Sequence, residues 1–247
     1  MMSALDVSVI IPAHNEEGNL QQVINSLTNR LSKETFSYEL VIVDDNSNDD
    51  TGRIADELAR KYREVIVIHR EGPNGFGRAI KDGLRNARGI ILVFVMGDKS
   101  DEPDDVVKLI KKSYEGYDVV YGSRFIPGSK RVGYPLLKLF INRAFNNLVR
   151  LLIGIKEKDV TNAFKAYNRK VLEKVGLDNL ESDNFDILVE LPIKAHFHKF
   201  KSIEVPVSWY GRSKGTSKLN LFKMGPLYIK RVFTELVKKR VLLLDLF

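Results

Sequence analysis

Two carboxylates, Asp98 and Asp101, stand three residues apart where the most apolar run of the chain ends: Ile90-Ile91-Leu92-Val93-Phe94-Val95-Met96 gives way to Gly97-Asp98-Lys99-Ser100-Asp101-Glu102-Pro103. An apolar run of this length reads as a strand buried on both faces. Carboxylates on the loop at its end have two uses. They can hold a metal ion that in turn holds a diphosphate. They can equally form an acidic turn capping the helix that Pro103 opens. Taken alone, the pair fits either use.

The elements that position this loop alternate regularly. Strand-like runs occupy Val7–Pro12, Glu39–Val43, Val65–His69, Ile90–Met96 and Val119–Tyr121. Between them, apolar residues at helical spacing mark Gly18–Arg30, Thr51–Tyr62, Gly77–Ala87 and Pro103–Tyr114. The alternation predicts an α/β fold with a mostly parallel central sheet flanked by helices. In such sheets ligands bind at the carboxyl ends of the strands. The polar and glycine-rich loops fall there: Pro12–Glu17, Asp44–Ser47, Gly72–Gly77, Gly97–Asp101 and Gly122–Arg124. Gly75-Phe76-Gly77 lacks the third glycine of a dinucleotide fingerprint and follows the third strand; no P-loop is present. These glycines suit a tight turn or a close backbone approach to a nucleotide.

The chain has 247 residues, 44% of them hydrophobic, enough for one large domain or a domain with a small appendage. No stretch reaches the ~18–20 apolar residues of a membrane span. Cysteine is absent, which removes disulfides and thiolate metal sites and is compatible with the cytosol. Charge is unevenly placed. Residues 210–247 hold nine Lys/Arg and two Asp/Glu, a net +7, and the rest balances at 30 and 30. A basic amphipathic tail on a neutral body points to an anionic membrane surface and away from nucleic acid. The expected organisation is a catalytic domain over 1–210 and a basic amphipathic segment over 211–247. The expected location is cytoplasmic, peripheral at the cytoplasmic face of the membrane.

Five ordered stretches resemble family 2 glycosyltransferases with the GT-A fold. They are Val9–Glu17, Val41–Ser47 with Asp50-Thr51, Gly75–Gly83, Gly122–Phe125 and Asp159–Tyr167, supported by Glu204–Val207 and Arg212–Lys218. The later ones resemble the polyprenyl-phosphate hexosyltransferases, the dolichol-phosphate mannose synthases among them. The resemblance implies a GDP- or UDP-sugar donor, a polyprenyl-phosphate acceptor and a divalent cation, Mg²⁺ or Mn²⁺. It places Pro12, His14, Glu16, Asp45, Gly75, Arg78 and Asp98 at the donor. His14 stands where many relatives carry tyrosine. Gly97 and Lys99 replace the carboxylates of the usual Asp-x-Asp, so metal ligation falls first to Asp98 and then to Asp101. Lys99 is a candidate for direct phosphate contact.

The resemblance implies a single in-line displacement with inversion, in which negative charge grows on the leaving diphosphate. A phosphate monoester acceptor has a second pKa of about 6 and arrives largely ionised, so it needs cations rather than a base. Arg124, Lys138, Arg143, Arg212 and Lys218 follow the donor motifs. Of these Arg124, Arg212 and Lys218, with Ser217 beside them and Lys138 as a lesser choice, are expected at the acceptor phosphate. Asp98, Asp101 and Arg124 form the expected catalytic set.

Pro135–Ile153 and Leu227–Lys239 are expected as helices whose apolar stripes suit a lipid-linked acceptor. A different acceptor, a glycan hydroxyl, would need a carboxylate base, and Asp159 and Glu190 are the candidates. A sugar-nucleotide pyrophosphorylase and a non-enzymatic membrane-binding module are more distant alternatives.

Overall fold

The β-branched run at the N-terminus forms β1 (Val7–Ala13), in which every residue is buried. A computed structural model describes residues 5–211 and 221–244. β1 pairs in parallel with β2 (Tyr38–Asp44) on one side and β4 (Ile91–Phe94) on the other, and β2 pairs in parallel with β3 (Val65–His69). Beyond β4 the sheet continues through β7 (Lys165–Asn168), β5 (Val119–Ser123) and β8 (Ser202–Pro206), giving the order β3-β2-β1-β4-β7-β5-β8. β7 is antiparallel to both neighbours; the other pairs are parallel. A second small sheet joins β6 (Lys130–Val132) to β9 (Ser208–Tyr210).

Alternation along the strands sends residues to two apolar layers. Val7, Val9 and Ile11 pack with α1 (Leu20–Leu31), α2 (Thr51–Lys61) and α4 (Pro103–Tyr114). Ile10, Val41 and Leu92 pack with α3 (Phe76–Asn86), α6 (Arg169–Val175) and α7 (Ile187–Phe197). A third cluster lies outside these layers. Val149 and Ile153 of α5 (Leu136–Ile153), Val189 and Ile193 of α7, and Met224, Tyr228 and Val232 of α8 (Leu221–Leu244) form it.

The expected alternation of strands and helices is present, with differences that have physical causes. β4 is shorter than the apolar run that marks it: Ile90 is 45% exposed, and Val95 and Met96 lie past its end. β7 carries no apolar run at all, yet it is a central strand in which Lys165 is fully buried. The apolar stripes of the last two long helices divide. On α5 the buried positions are Asn146, Val149 and Ile153, while Leu137 and Phe140 are 69% and 74% exposed. On α8 Val232 is buried, while Ile229, Phe233 and Val237 face solvent. Among the described residues no helix is long and apolar enough to cross a membrane.

Asp44, at the end of β2, is held from two directions. One oxygen accepts from Ser47 N at 3.1 Å and the other lies 3.1 Å from His69 Nδ1, whose Nε2 meets Asp56 at 3.0 Å. Asp56, then Asp44, raises the His69 pKa above its ordinary value. The stabilisation from charged His69 is therefore complete below the unfolded-state pKa and is lost as pH rises through the folded value. The stability difference between wild type and His69→Gln should shrink from mildly acidic to alkaline pH, as read by thermal melts.

Candidate active site

A cavity of about 670 Å³ opens at the carboxyl edge of the parallel strands. Pro12, His14 and Asp45 line one end, with Asn74, Gly75 and Phe76. His14 donates from Nδ1 to the Asp45 carbonyl at 3.0 Å in the tautomer that leaves Nε2 to accept from Asn74 at 3.2 Å. Asp45 Oδ2 accepts from Gly75 N at 2.8 Å, and Oδ1 pairs with Arg70. Arg70 also reaches Asp82 of α3 at 2.6 Å, so one half-buried guanidinium joins the ends of two strands to a helix. No sequence motif singles out Arg70. Its signal is a cation one residue past β3, beside the Asp44-Asp45 end of β2.

Two residues expected at this end lie outside the lining. Glu16 is buried, where it accepts from Asn19 at 2.9 Å and its backbone opens α1. Arg78 turns to Asp183 at 2.6 Å, with Lys81 on the other oxygen of that carboxylate at 3.0 Å. The glycines beside Arg78 also admit a close approach by the protein itself. A Cβ on Gly75 would lie 2.4 Å from the Asp183 carbonyl, and one on Gly77 would lie 2.5 Å from that of Ser182. What approaches these glycines is the protein's own backbone. Phe185 follows it and stacks on Phe76 with ring centroids 4.5 Å apart.

The acidic loop forms the middle of the cavity, where Asp98 and Asp101 both line it. Asp98 accepts from Ser100 N at 3.1 Å, and Asp101 accepts from Met96 N at 3.0 Å. Burial, helped by the neighbouring Asp98 charge, pushes the Asp101 carboxyl up to about 7. Lys99 between them is left-handed (φ 65°) and exposed, outside the lining. Asn15 and Asn46, also left-handed, sit in the neighbouring loops, so backbone strain gathers at this edge. The donor set suits a hard divalent cation. It offers two oxygen ligands with Asp101 destabilised as an anion, and no larger His/Cys/Asp/Glu group able to hold a metal occurs among the described residues. Mg²⁺ or Mn²⁺ would complete its shell with water and phosphate oxygens.

Arg124, past the end of β5, also lines the cavity. Its Nε and Nη2 both meet fully buried Asp159 at 2.8 Å, and its backbone N–H donates to the same carboxylate. Burial works against the Arg124 charge, but Asp159 more than offsets this and holds its pKa above the ordinary value. Lys165, beneath, donates to the Asn162 carbonyl, and burial pushes its ammonium down to about 7. Lys138 lines the cavity with its Nζ 5.9 Å from the centre of the Tyr134 ring, whereas exposed Arg143 packs on Phe125 at 5.0 Å. Arg212, Ser217 and Lys218 lie outside the described residues.

The two candidate bases are committed elsewhere, and neither lines the cavity. Asp159 holds Arg124. Glu190 is fully buried and accepts from the backbone of Glu181 and Ser182 at 2.9 and 2.8 Å. The far end of the cavity is apolar: Ile141 and Phe145 of α5 face Met224, Tyr228 and Ile229 of α8, with Leu188 of α7.

A mostly parallel sheet with an acidic loop and a cavity at its carboxyl edge is the arrangement of the GT-A fold. Residues 8–176 match Glycosyl transferase family 2, and the chain belongs to that family. It is 33% identical over 217 residues to the polyprenol monophosphomannose synthase of Mycolicibacterium smegmatis, covering 86% of this chain and 80% of that one. It is 35% identical over 217 residues to the dolichol-phosphate mannosyltransferase of Pyrococcus furiosus, covering 87% of this chain and 59% of that longer protein. The enzyme is thus similar to dolichyl-phosphate mannosyltransferases. Its fold also matches glucosyl-3-phosphoglycerate synthase from Mycobacterium tuberculosis, a structure containing Mn²⁺, UDP and glucosyl-3-phosphoglycerate. The TM-score is 0.70 at 21% identity, over 94% of this chain and 80% of that one.

Two outcomes follow from this geometry. Asp159→Ala leaves a buried guanidinium unpaired and should lower unfolding stability by about 3–5 kcal/mol in denaturant titration; a merely catalytic base would leave the midpoint in place. Gly77→Ala should cost about 1–3 kcal/mol in the same assay, because the carbonyls around it are backbone and cannot rotate away.

Proposed function

We propose that this glycosyltransferase transfers a hexose, mannose by likeness to its relatives, from a GDP- or UDP-sugar to a polyprenyl phosphate with inversion. The observation that carries this reading is the division of the cavity: carboxylates and a buried arginine at one side, an apolar passage between α5 and α8 at the other. A nucleotide sugar and a lipid phosphate need those two chemistries in contact.

In this reading Pro12, His14, Asp45 and Gly75 receive the nucleoside, and Asp98 and Asp101 face the diphosphate. Mg²⁺ or Mn²⁺, held by Asp98 and Asp101, would supply positive charge against the leaving diphosphate. Arg124 directs guanidinium donors into the cavity from a position fixed by Asp159. Lys138, which lines the same cavity, joins Arg124 in facing the acceptor phosphate, with Arg212, Ser217 and Lys218 as further candidates from the sequence. The acceptor oxygen is already ionised, so the site needs no base, in keeping with the commitment of Asp159 and Glu190 to structure.

Residues 1–210 act as the catalytic body and 211–247 as the acceptor and membrane segment, at the cytoplasmic face. Of the 13 large apolar side chains exposed among the described residues, ten are on α5 and α8. They flank the apolar passage, and exposed Arg143, Lys230, Lys239 and Arg240 accompany them. Together they suit an anionic lipid surface.

Purified enzyme given sugar nucleotide and Mg²⁺ should release nucleoside diphosphate when a polyprenyl phosphate is added and not when the free prenol is added. Equal release with both would overturn the phosphate acceptor. Asp98→Ala should lower turnover by about 10²-fold or more and remove its dependence on added metal. The double substitution Phe140→Ser, Phe233→Ser should weaken sedimentation with anionic vesicles while leaving donor binding in solution intact.

A further inference from the structure

Between the acidic loop and the apolar passage stand two aromatic side chains to which the transfer reaction has so far assigned nothing. Trp209 of β9 and Tyr134, just after β6, both line the cavity and are half-buried. Their ring centroids are 4.7 Å apart at an interplanar angle of 58°, which forms a concave corner rather than a closed stack. Each is tied to one side of the reaction. The Trp209 backbone bridges to Asp101, and the next residue, Tyr210, donates its N–H to the Ser100 carbonyl at 3.1 Å. The Tyr134 ring lies 5.6 Å from the Arg124 guanidinium carbon, and its hydroxyl accepts from Asn142 at 3.2 Å.

We propose that Trp209 and Tyr134 form the wall against which the donor hexose lies, and so act as binding residues for the sugar of the donor. The inference rests on the donor reading above. The hexose is joined to the diphosphate and must present its anomeric carbon to the acceptor phosphate. It therefore lies between Asp98 and Asp101 on one side and Arg124 and Lys138 on the other. The corner formed by the two rings occupies that interval. A pyranose has a face of C–H groups that water solvates poorly, and a half-buried aromatic ring is its physical complement. During transfer the same sugar gains positive charge, which an aromatic face attracts. The wall thus favours a pyranose over a bare diphosphate without a charged contact to the sugar.

The chain contains one tryptophan, so tryptophan-selective fluorescence reports on this wall alone. The probes are GDP, UDP, GDP-mannose and UDP-glucose, each with Mg²⁺. For the base that binds, the sugar nucleotide should quench more strongly and bind more tightly than its nucleoside diphosphate. By calorimetry Trp209→Leu should erase that sugar increment, about three- to tenfold in affinity, while affinity for the nucleoside diphosphate stays at its wild-type value. Trp209→Phe should retain most of the increment, and Tyr134→Leu should lose part of it. Equal quenching by GDP and GDP-mannose, or by the uridine pair, overturns the wall in the wild-type protein without any variant. A parallel loss of both affinities in Trp209→Leu also overturns it, because that pattern belongs to a structural role. Binding of no nucleotide at all would overturn the donor reading, and the wall with it.

Discussion

The pairing of Arg124 with Asp159 is the contact on which the site depends. It joins the end of β5 to the segment entering β7, and β7 is the antiparallel strand that connects the two parallel parts of the sheet. Both groups are buried, so each is tolerable only because of the other. Two parallel hydrogen bonds at 2.8 Å fix the plane of the guanidinium as well as its position. The pair also explains its neighbour. Lys165 lies fully buried on the same strand with its pKa depressed to about 7, chiefly by burial. It needs little charge there, because Arg124 already meets the Asp159 carboxylate.

A second constraint is close backbone contact. The segment from Ser182 to Asn184 lies so near Gly75 and Gly77 that no side chain fits at either position. Its other side is anchored to α8, where Arg231 meets Glu181 at 2.9 Å and lies within 4 Å of Asp186, Glu190 and Glu235. One short segment therefore touches both the His14 and Asp45 end of the cavity and the helix that carries exposed apolar residues. Carboxylates in this patch face guanidinium and ammonium groups from two elements, and Lys194 of α7 adds a further cation beside Glu190 and Glu235.

Much of this was legible in the sequence because apolar periodicity is a local signal. β1, β2, the four helices of the first half and the loops at the strand ends all follow from residues near one another. Strand ends and loops bring Pro12, His14, Asp45, Gly75, Asp98, Asp101 and Arg124 to one cavity, which Lys138 of α5 also lines. The rest depends on contacts between distant parts of the chain. β7 is read as a strand only once its two neighbours exist, since Lys165-Ala166-Tyr167-Asn168 has no strand pattern of its own. The stripes of α5 and α8 were visible, but a helical stripe does not say which of its residues meet a core. Glu16 and Arg78 show the same limit, for their partners Asn19 and Asp183 decide that they lie outside the lining. The glycines of Gly75-Phe76-Gly77 mark a close approach, but the sequence does not say whether nucleotide or protein makes it.

The distribution of carboxylates bears on the chemistry as strongly as the cavity does. A transferase acting on a hydroxyl must place a base against the acceptor. Here Asp159 is bound to Arg124, and Glu190 is bound to two backbone N–H groups. The carboxylates left in the cavity are Asp45, whose oxygens meet Gly75 and Arg70, and the pair Asp98 and Asp101. That pair faces the middle of the cavity, while the apolar passage from which a lipid would enter is lined without a carboxylate. Such a passage suits a nucleophile that brings its own negative charge. An ionised phosphate at the end of an apolar chain has that property, and it would meet Arg124 and Lys138 where the lining changes from apolar to charged.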